Sequence, residues 1–165
     1  MAKKIFILFL LAGMAYSLKA QQPQTPQQLN DYMVGIIDSI TMAENHWDML
    51  RARADSTHEF YRLYDQRRSI EKMLERKFTA LSDLGKIEES DDFRDAVNDY
   101  LFYVALVVKD GCFLYEKLNK NSSPADIDRV RSKTAELKKD EAEGLQNVRK
   151  VQQEYALRNG LTIKP

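Results

Sequence analysis

The chain has 165 residues, in which 25 Lys and Arg balance 25 Asp and Glu. This length suits one domain with a sizeable hydrophobic core, and the absence of a basic run disfavours a protein that binds nucleic acid or an anionic membrane. Cys112 is the single cysteine, which excludes an internal disulfide, so packing must hold the fold.

The first twenty residues have the composition of a secretory signal peptide. Lys3 and Lys4 form a basic start, and an apolar stretch of secretory length follows over 5–15. A membrane helix needs roughly 20 apolar residues, and the polar sequence QQPQTPQQ follows too soon for one. We therefore expect 1–20 to be a signal peptide that is removed on export.

Two cleavage points fit this leader. Cleavage after Ala20 would leave Gln21 as the first residue of the mature chain, and cleavage after Ser17 is the alternative. The leader also contains a box like that of lipoproteins, but Met14 stands where the lipidated cysteine must be. We therefore expect one domain over 21–165, with no stable membrane anchor after cleavage.

A proline start predicts the first helix. Thr25 can cap it, Pro26 fits the first helical position, and Gln28 completes a capping box. Apolar residues then recur at helical spacing, which predicts a helix over 26–54. They are Leu29, Tyr32, Met33, Ile36, Ile40, Ala43, Trp47, Leu50 and Ala54.

A second capping box, from Ser56 to Glu59, predicts the start of the next helix. Gly85 suits a left-handed end for it, so we expect this helix over 57–84. Its apolar face comprises Phe60, Leu63, Ile70, Leu74, Phe78 and Leu81.

The most apolar stretch of the mature chain predicts the third helix, over 91–119. Ser90 can cap it, and Asp91 and Asp92 place negative charge at the positive end of the helix dipole. Steps of four and three give one apolar face. It consists of Phe93, Val97, Tyr100, Val104, Val107, Gly111, Leu114 and Leu118.

Ser123 and Pro124 repeat the capped proline start, which predicts a fourth helix over 124–158. Gly160 can end it in the left-handed conformation, with Leu161 packing back as the hydrophobic contact. Short loops make successive helices antiparallel neighbours, and no stretch has the pattern of a strand. We therefore expect an all-α fold, an antiparallel up-down-up-down four-helix bundle.

Aligning the predicted helices brings two glycines level with large rings. Trp47 lies level with Gly111, and Gly144 lies level with Tyr100. A large ring opposite a missing side chain fills space between facing layers. The alternative is that the glycines are merely tolerated, at about 1 kcal/mol each.

Two charged residues interrupt the apolar faces. The same alignment places Arg67 near Glu44 and Glu141 within a turn of Lys77. Each charge can extend from the edge of the apolar face to water. Alternatively, each forms a buried pair that fixes the register of two helices.

Four segments carry a resemblance to a known family. They are the leader ending in KAQ, the openings PQQLNDYMVGIIDSI and FRDAVNDYLFYV, and the ending EYALRNGLTI. The chain resembles an uncharacterised family of exported or surface helical-bundle proteins of Gram-negative bacteria, many of them lipoproteins. The resemblance implies export and a bundle but no activity, and Met14 departs from the lipidated members.

The motifs of the enzymes and cofactor proteins built on bundles are missing from the sequence. His46 and His58 are the only histidines, and neither completes a Glu-x-x-His motif, which excludes a di-iron carboxylate site. One cysteine excludes covalent haem attachment, and no nucleophile triad or phosphate loop occurs. We therefore expect no enzyme and no cofactor.

One weak metal pattern lies on the first helix. Met42, His46 and Met49 follow one another at steps of four and three, and thioether and imidazole ligands suit Cu(I). Three such residues also align on a helix without any metal, because Met commonly fills gaps at helix boundaries. The sequence therefore assigns no metal ligand.

Three large apolar residues lie on the polar side of the third helix. Phe102, Leu106 and Phe113 stand in line there, bordered by Ala105 and Cys112. Such a strip on a polar face indicates an interface, unless another part of the same chain covers it. The surrounding polar residues are Asp95, Asn98, Asp99, Lys109, Asp110, Glu116 and Lys117.

The sequence thus favours an exported, non-enzymatic module of the cell envelope, located in the periplasm or at the surface of a Gram-negative bacterium. Its role would be structural or the binding of a protein, itself included. The alternative is a carrier of a small ligand or of copper in the bundle interior. Densely apolar faces favour the first reading, because a carrier needs a void.

Overall fold

Four helices make up the computed structural model, which describes residues 22–87 and 89–162. Helix α1 is Pro26–Thr57, α2 is Leu63–Ser82 after a short 3-10 turn at Phe60–Arg62, and α4 is Pro124–Arg158. Helix α3 consists of Asp91–Leu106, a π-helical turn Val107–Cys112 and Phe113–Tyr115. No strand occurs in the described ranges, and the predicted all-α four-helix bundle is confirmed. The predicted signal peptide, 1–20, lies outside the described residues.

The start of α1 has the predicted cap. The Thr25 hydroxyl accepts the backbone N–H of Gln28 at 3.2 Å, and Pro26 occupies the first turn. The Gln28 side chain accepts the N–H of Gln24 at 2.8 Å rather than that of Thr25. The second half of the capping box is therefore shifted by one residue, and the Gln28 side chain satisfies the N–H of Gln24 instead.

The predicted boundary between α1 and α2 is wrong. Ser56 and Thr57 belong to the last turn of α1, where both hydroxyls donate to the carbonyl of Arg53, at 2.8 and 3.1 Å. His58 ends the helix in the left-handed conformation, with φ 57°, and its N–H bonds to Ala54 O at 2.7 Å. A Ser or Thr hydroxyl can donate to a carbonyl of the helix that it ends, or accept an N–H of the helix that it begins. A capping pattern in the sequence does not distinguish the two.

The capping residues predicted for the end of α2 and the start of α3, Gly85 and Ser90, are also wrong. Helix α2 ends at Ser82, and Gly85 is not in the left-handed conformation that a glycine cap requires. The Ser90 hydroxyl donates to Ile87 O at 2.7 Å and does not cap α3. At the end of α4 the prediction is confirmed, because Gly160 has φ 62° and Leu161 packs against the core.

The π-helical turn changes which residues of α3 face the core. A π turn bonds residue i to i+5 and so takes more residues than an α turn. After it, Tyr115 and Glu116 lie inside, whereas Leu114, predicted on the buried face, is half-buried. Helix α3 ends at Tyr115, before the predicted end at 119.

Helices α3 and α4 pack closely along their length. The rings of Phe93 and Tyr155 lie 5.4 Å apart between the start of α3 and the end of α4. Gly111, near the other end of α3, faces Thr134. Residue numbers therefore rise along α3 as they fall along α4, the pattern of antiparallel neighbours.

The predictions for Gly144 and Gly111 have different outcomes. A Cβ on Gly144 would lie 3.7 Å from Tyr100 Cα and 2.7 Å from a ring carbon of Tyr103, so Gly144 is level with Tyr100 as predicted, but the ring that fills the space is that of Tyr103. A Cβ on Gly111 would meet Thr134 at 3.2 Å, so its predicted fit with Trp47 is wrong. Trp47 packs instead on the Tyr115 ring, at 5.4 Å between centroids, because the π turn brings Tyr115 inward.

Within the part of the chain that the structure describes, no helix has the length and apolar character needed to cross a membrane.

Gly144→Ala should lower the free energy of unfolding by about 1–3 kcal/mol, because the added methyl group overpacks the contact with Tyr103. Gly35→Ala is the matched control, since a Cβ there meets nothing within 4 Å on an exposed turn of α1. The control should raise stability by about 0.8–1 kcal/mol through helix propensity alone. Urea unfolding measures both, and equal gains would contradict the close α3–α4 contact.

Candidate functional site

Arg67 is the centre of a buried ion cluster between α2 and α3. Its guanidinium binds the Glu116 carboxylate with two nitrogens, one of them at 3.1 Å, and a third nitrogen binds Glu71. The Arg67 and Glu116 side chains are both buried. This bidentate geometry is the strongest that arginine forms with a carboxylate, and the hydrogen bond to Glu116 raises the Arg67 pKa above its ordinary value.

The predicted partner of Arg67, Glu44, is wrong. Gln66 Nε2 donates to Ala43 O at 3.2 Å, so Arg67 lies at about the predicted level against α1, but its guanidinium binds Glu116 of α3 instead. The sequence also places Glu116 on the polar side of α3, whereas the π turn rotates it inward. Of the two interpretations of Arg67, the buried pair is therefore the correct one.

Aromatic rings surround this buried arginine at the surface. The Tyr64 and Phe113 rings lie 5.6 and 5.2 Å from the Arg67 guanidinium carbon, and both rings are exposed. The Lys117 ammonium lies 4.3 Å from the Phe113 centroid. Arginine and lysine in this position attract the face of an aromatic ring, so the cluster holds both rings at the surface of the bundle.

A groove of about 390 Å³ lies beside this cluster, between α2 and α3. Apolar residues from both helices form its floor, and charged residues of both signs form its rim. The floor consists of Leu74, Phe78, Ala105 and Val108, and the rim of Arg68, Glu71, Glu75 and Lys109.

The predicted strip of α3 is divided by the π turn. Phe102 is 55% exposed and packs only edge-on to Tyr103 among the aromatic rings, with 6.3 Å between centroids. Leu106 is half-buried, and Phe113 follows the π turn and lies over Arg67. Cys112, predicted to border the strip, is buried in the core because the π turn brings it inward. The role of Phe102, Leu106 and Phe113 as an interface stays a prediction.

Polar side chains connect α1 to α4 from end to end. Four pairs of residues form these connections, and each pair joins the two helices. They are Asn30 with Gln152 at 2.9 Å, Glu44 with Glu141, Asp48 with Lys138 at 2.8 Å, and Asp55 with Arg131 at 3.2 Å.

The Glu44–Glu141 pair is the unusual member of this series, because both residues are acidic. Glu44 is only 8% exposed, and burial followed by the charge of Glu141 raises its pKa to about 8. Burial also raises the pKa of Glu141, one of whose carboxylate oxygens is buried without a hydrogen-bond partner. The predicted contact of Glu141 with Lys77 is wrong, since Glu141 faces α1.

The two acids of this pair repel each other when both are ionised. Burial and the charge of Glu141 therefore both favour the protonated form of Glu44. Glu44 is buried between α1 and α4 and Glu141 is half-buried, so a substrate would not reach Glu44 without movement of α1 or α4.

The weak copper pattern lies on the outer face of α1. Met42 and Met49 are largely exposed, and His46 is exposed between them. The described residues contain no group of three or more His, Cys, Asp or Glu side chains arranged to hold a metal ion. A copper site formed by the two methionines and the histidine stays a prediction, and we assign no metal to them.

Arg67→Met should lower the free energy of unfolding by about 3–5 kcal/mol in urea, because it leaves the Glu116 carboxylate buried without a counter-ion. Arg67→Met combined with Glu116→Leu should recover most of that loss. Arg62→Met is the control, since the Arg62–Glu59 pair is exposed and its loss should shift the midpoint little. A loss at Arg67 no larger than at Arg62 would show that the buried pair contributes nothing.

Comparison of the chain with protein-family models, curated proteins and solved structures gave no match. The resemblance to exported helical-bundle proteins therefore stays a prediction.

Proposed function

We propose that this protein is an exported, non-enzymatic bundle that binds a protein, itself included, through the α2–α3 face. The observation that carries the proposal is the cluster of exposed rings around Arg67. Tyr64 and Phe113 are held at the surface by contacts with a buried guanidinium, and Phe102 is exposed on the same helix as Phe113.

Exposed aromatic rings on a rigid support are typical of the centres of protein–protein interfaces. Tyr, Phe and Arg are enriched there, and rings that are already ordered lose little conformational entropy on binding. The Arg67 guanidinium is fixed by Glu116 and Glu71, which fixes the positions of the rings packed on it. This ordering supports a binding role over the alternative of an incidental exposed residue.

The groove beside the cluster suits an apolar helix face. Its floor is supplied by Leu74, Phe78, Ala105 and Val108, while basic and acidic residues stand on its rim. An amphipathic helix binds in such a groove through apolar anchors spaced three and four residues apart. A second bundle or a helical segment of another protein has this chemistry.

The core supports an interaction module over a ligand carrier. Large side chains fill the interior, among them Trp47, Tyr100, Tyr115 and Tyr155. A carrier needs an internal pocket lined by a few polar groups, whereas the groove between α2 and α3 is open at the surface. The burial of Glu44 between α1 and α4 likewise supports a non-enzymatic role, since a substrate would not reach its carboxyl group.

Export rests on the leader alone. Its basic start and short apolar stretch support secretion to the periplasm or cell surface. The absence of a cysteine at Met14 supports a protein without a lipid anchor.

Phe102→Glu and Leu106→Glu should each weaken self-association or partner capture about tenfold or more, because an interface centre would bury a charge. Both variants should keep the helical circular dichroism of the wild type. Sedimentation at increasing concentration measures self-association, and capture from envelope fractions measures binding to another protein.

Leu157→Glu is the matched control for these variants. Leu157 is an exposed leucine on α4, outside the α2–α3 face, and its replacement should leave association unchanged. Equal behaviour of Phe102→Glu and Leu157→Glu would contradict the proposed surface. Unfolding of Leu106→Glu in a protein that stays monomeric would show that Leu106 belongs to the core.

The exported protein should begin at Gln21, or otherwise at Leu18, because these positions follow the two cleavage points of the leader. Intact mass of the protein recovered from outside the cytoplasm measures this. Recovery of a species that retains 1–15, or one that requires detergent, would contradict export by cleavage.

A further inference from the structure

The two helices of the α2–α3 face present different chemistry to solvent. Helix α3 contributes the exposed Phe102 ring and the exposed base Lys109, whereas α2 contributes the exposed acid Glu75 and a surface hollow beside Thr79. We propose that a second copy of this chain binds here, about a two-fold axis parallel to the helices, so that α3 of each copy packs on α2 of the other. This inference rests on the proposed function of the α2–α3 face and names its partner.

The level of α2 against α3 follows from contacts at two places. The groove is lined by Phe78 of α2 and Ala105 of α3. Towards the start of α3, the Arg94 guanidinium donates to Leu81 O, near the end of α2, at 3.2 Å. Phe102 lies between Arg94 and Ala105 in the chain, so it is level with the last turns of α2.

A hollow on the surface of α2 lies at this same level. It has a volume of about 340 Å³, and Thr79 and Ala80 are among the residues that line it. The Ala80 side chain ends at its Cβ, which leaves space between longer neighbours. A two-fold axis parallel to the helices preserves the level of each residue and places α3 of one copy opposite α2 of the other. Each Phe102 ring, which is 55% exposed, would then face the hollow of the other copy.

The charged rim of the groove is arranged in the same way. Glu71 of α2 is already paired with Arg67 and Arg68 of its own helix. Within the ranges that the structure describes, Glu75 and Lys109 form no ion pair, although both line the groove. The parallel two-fold axis brings Lys109 of each copy to Glu75 of the other, so this contact is made twice in a dimer.

A two-fold axis across the helices would not produce these contacts. It would place α3 on α3 and α2 on α2, which separates Lys109 from Glu75 of the other copy and Phe102 from the hollow. A second copy bound about the parallel axis supplies a ring for the hollow and a base for the acid, both at the required level. The charge and shape of this face are therefore complementary to the face itself.

The size of the face suits a reversible dimer. Helix α2 has 20 residues, so it is about 30 Å long, and two helices side by side are about 20 Å wide. Such a face can bury about 600 Å² in each copy, or about 1,200 Å² in total, which is the lower end of specific interfaces. We therefore expect a dissociation constant of about a micromolar or weaker.

Charge reversal in the full chain tests this arrangement. Lys109→Glu and Glu75→Lys should each weaken self-association about tenfold or more, because each places like charges together at both contacts of the dimer. An equimolar mixture of the two variants should restore association to the wild-type level, since the mixed dimer again pairs a base with an acid at both contacts. Sedimentation velocity at increasing concentration measures each variant and the mixture, and circular dichroism checks that each variant stays helical.

Lys139→Glu and Glu154→Lys are the matched controls. Both residues are exposed on α4, outside the α2–α3 face, and the same changes of charge are made there. These variants should associate as the wild type does, alone and mixed.

Weakened association in both test variants without recovery on mixing would overturn the two-fold arrangement, as would association that neither variant weakens. A wild type that stays monomeric well above the expected dissociation constant would also overturn it. The proposed function would still stand in that case if Phe102→Glu abolished capture of another protein. If Phe102→Glu changed neither self-association nor capture, the proposed function would fail as well.

Discussion

A charge buried between helices must have a partner, and this requirement fixes the arrangement of the bundle. Arg67 meets Glu116 across α2 and α3, and Glu44 meets Glu141 across α1 and α4. Apolar side chains tolerate a shift along the helix axis, since one methyl group packs much like another. A buried ion that loses its partner costs several kcal/mol. The Arg67–Glu116 pair therefore favours one register of α2 against α3.

The first pair also determines the character of the surface. The guanidinium of Arg67 is fixed inside by Glu116, and its outer side carries the Tyr64 and Phe113 rings. These rings are therefore ordered without being buried. An exposed aromatic residue on an unsupported helix would sample several rotamers and lose that freedom on binding. Here the ion pair that stabilises the α2–α3 contact also prepares the rings of the proposed binding surface.

Helical spacing alone predicted four helices and most of their buried faces, because burial repeats with the helix period whatever the neighbours are. The end signals at Ser56 and Ser90 were wrong, since a hydroxyl can bond either to the helix it follows or to the one it precedes. The sequence analysis did not predict the burial of Glu44, although its position four residues after Ile40 and three before Trp47 carried a signal for it. Its partner had no such signal, because pairing depends on the relative position of two helices. The inward turn of Glu116 had no sequence signal, since the π turn arises from packing.

The two buried pairs differ in what holds them. Arg67 and Glu116 carry opposite charges, so their side chains attract each other across α2 and α3. Glu44 and Glu141 are both acids; burial raises the pKa of each, and the charge of Glu141 raises that of Glu44 further. Charge thus stabilises the α2–α3 contact, whereas the buried apolar side chains of α1 must offset the cost of the acidic pair. The exposed rings lie on the side of the bundle that carries the attractive pair.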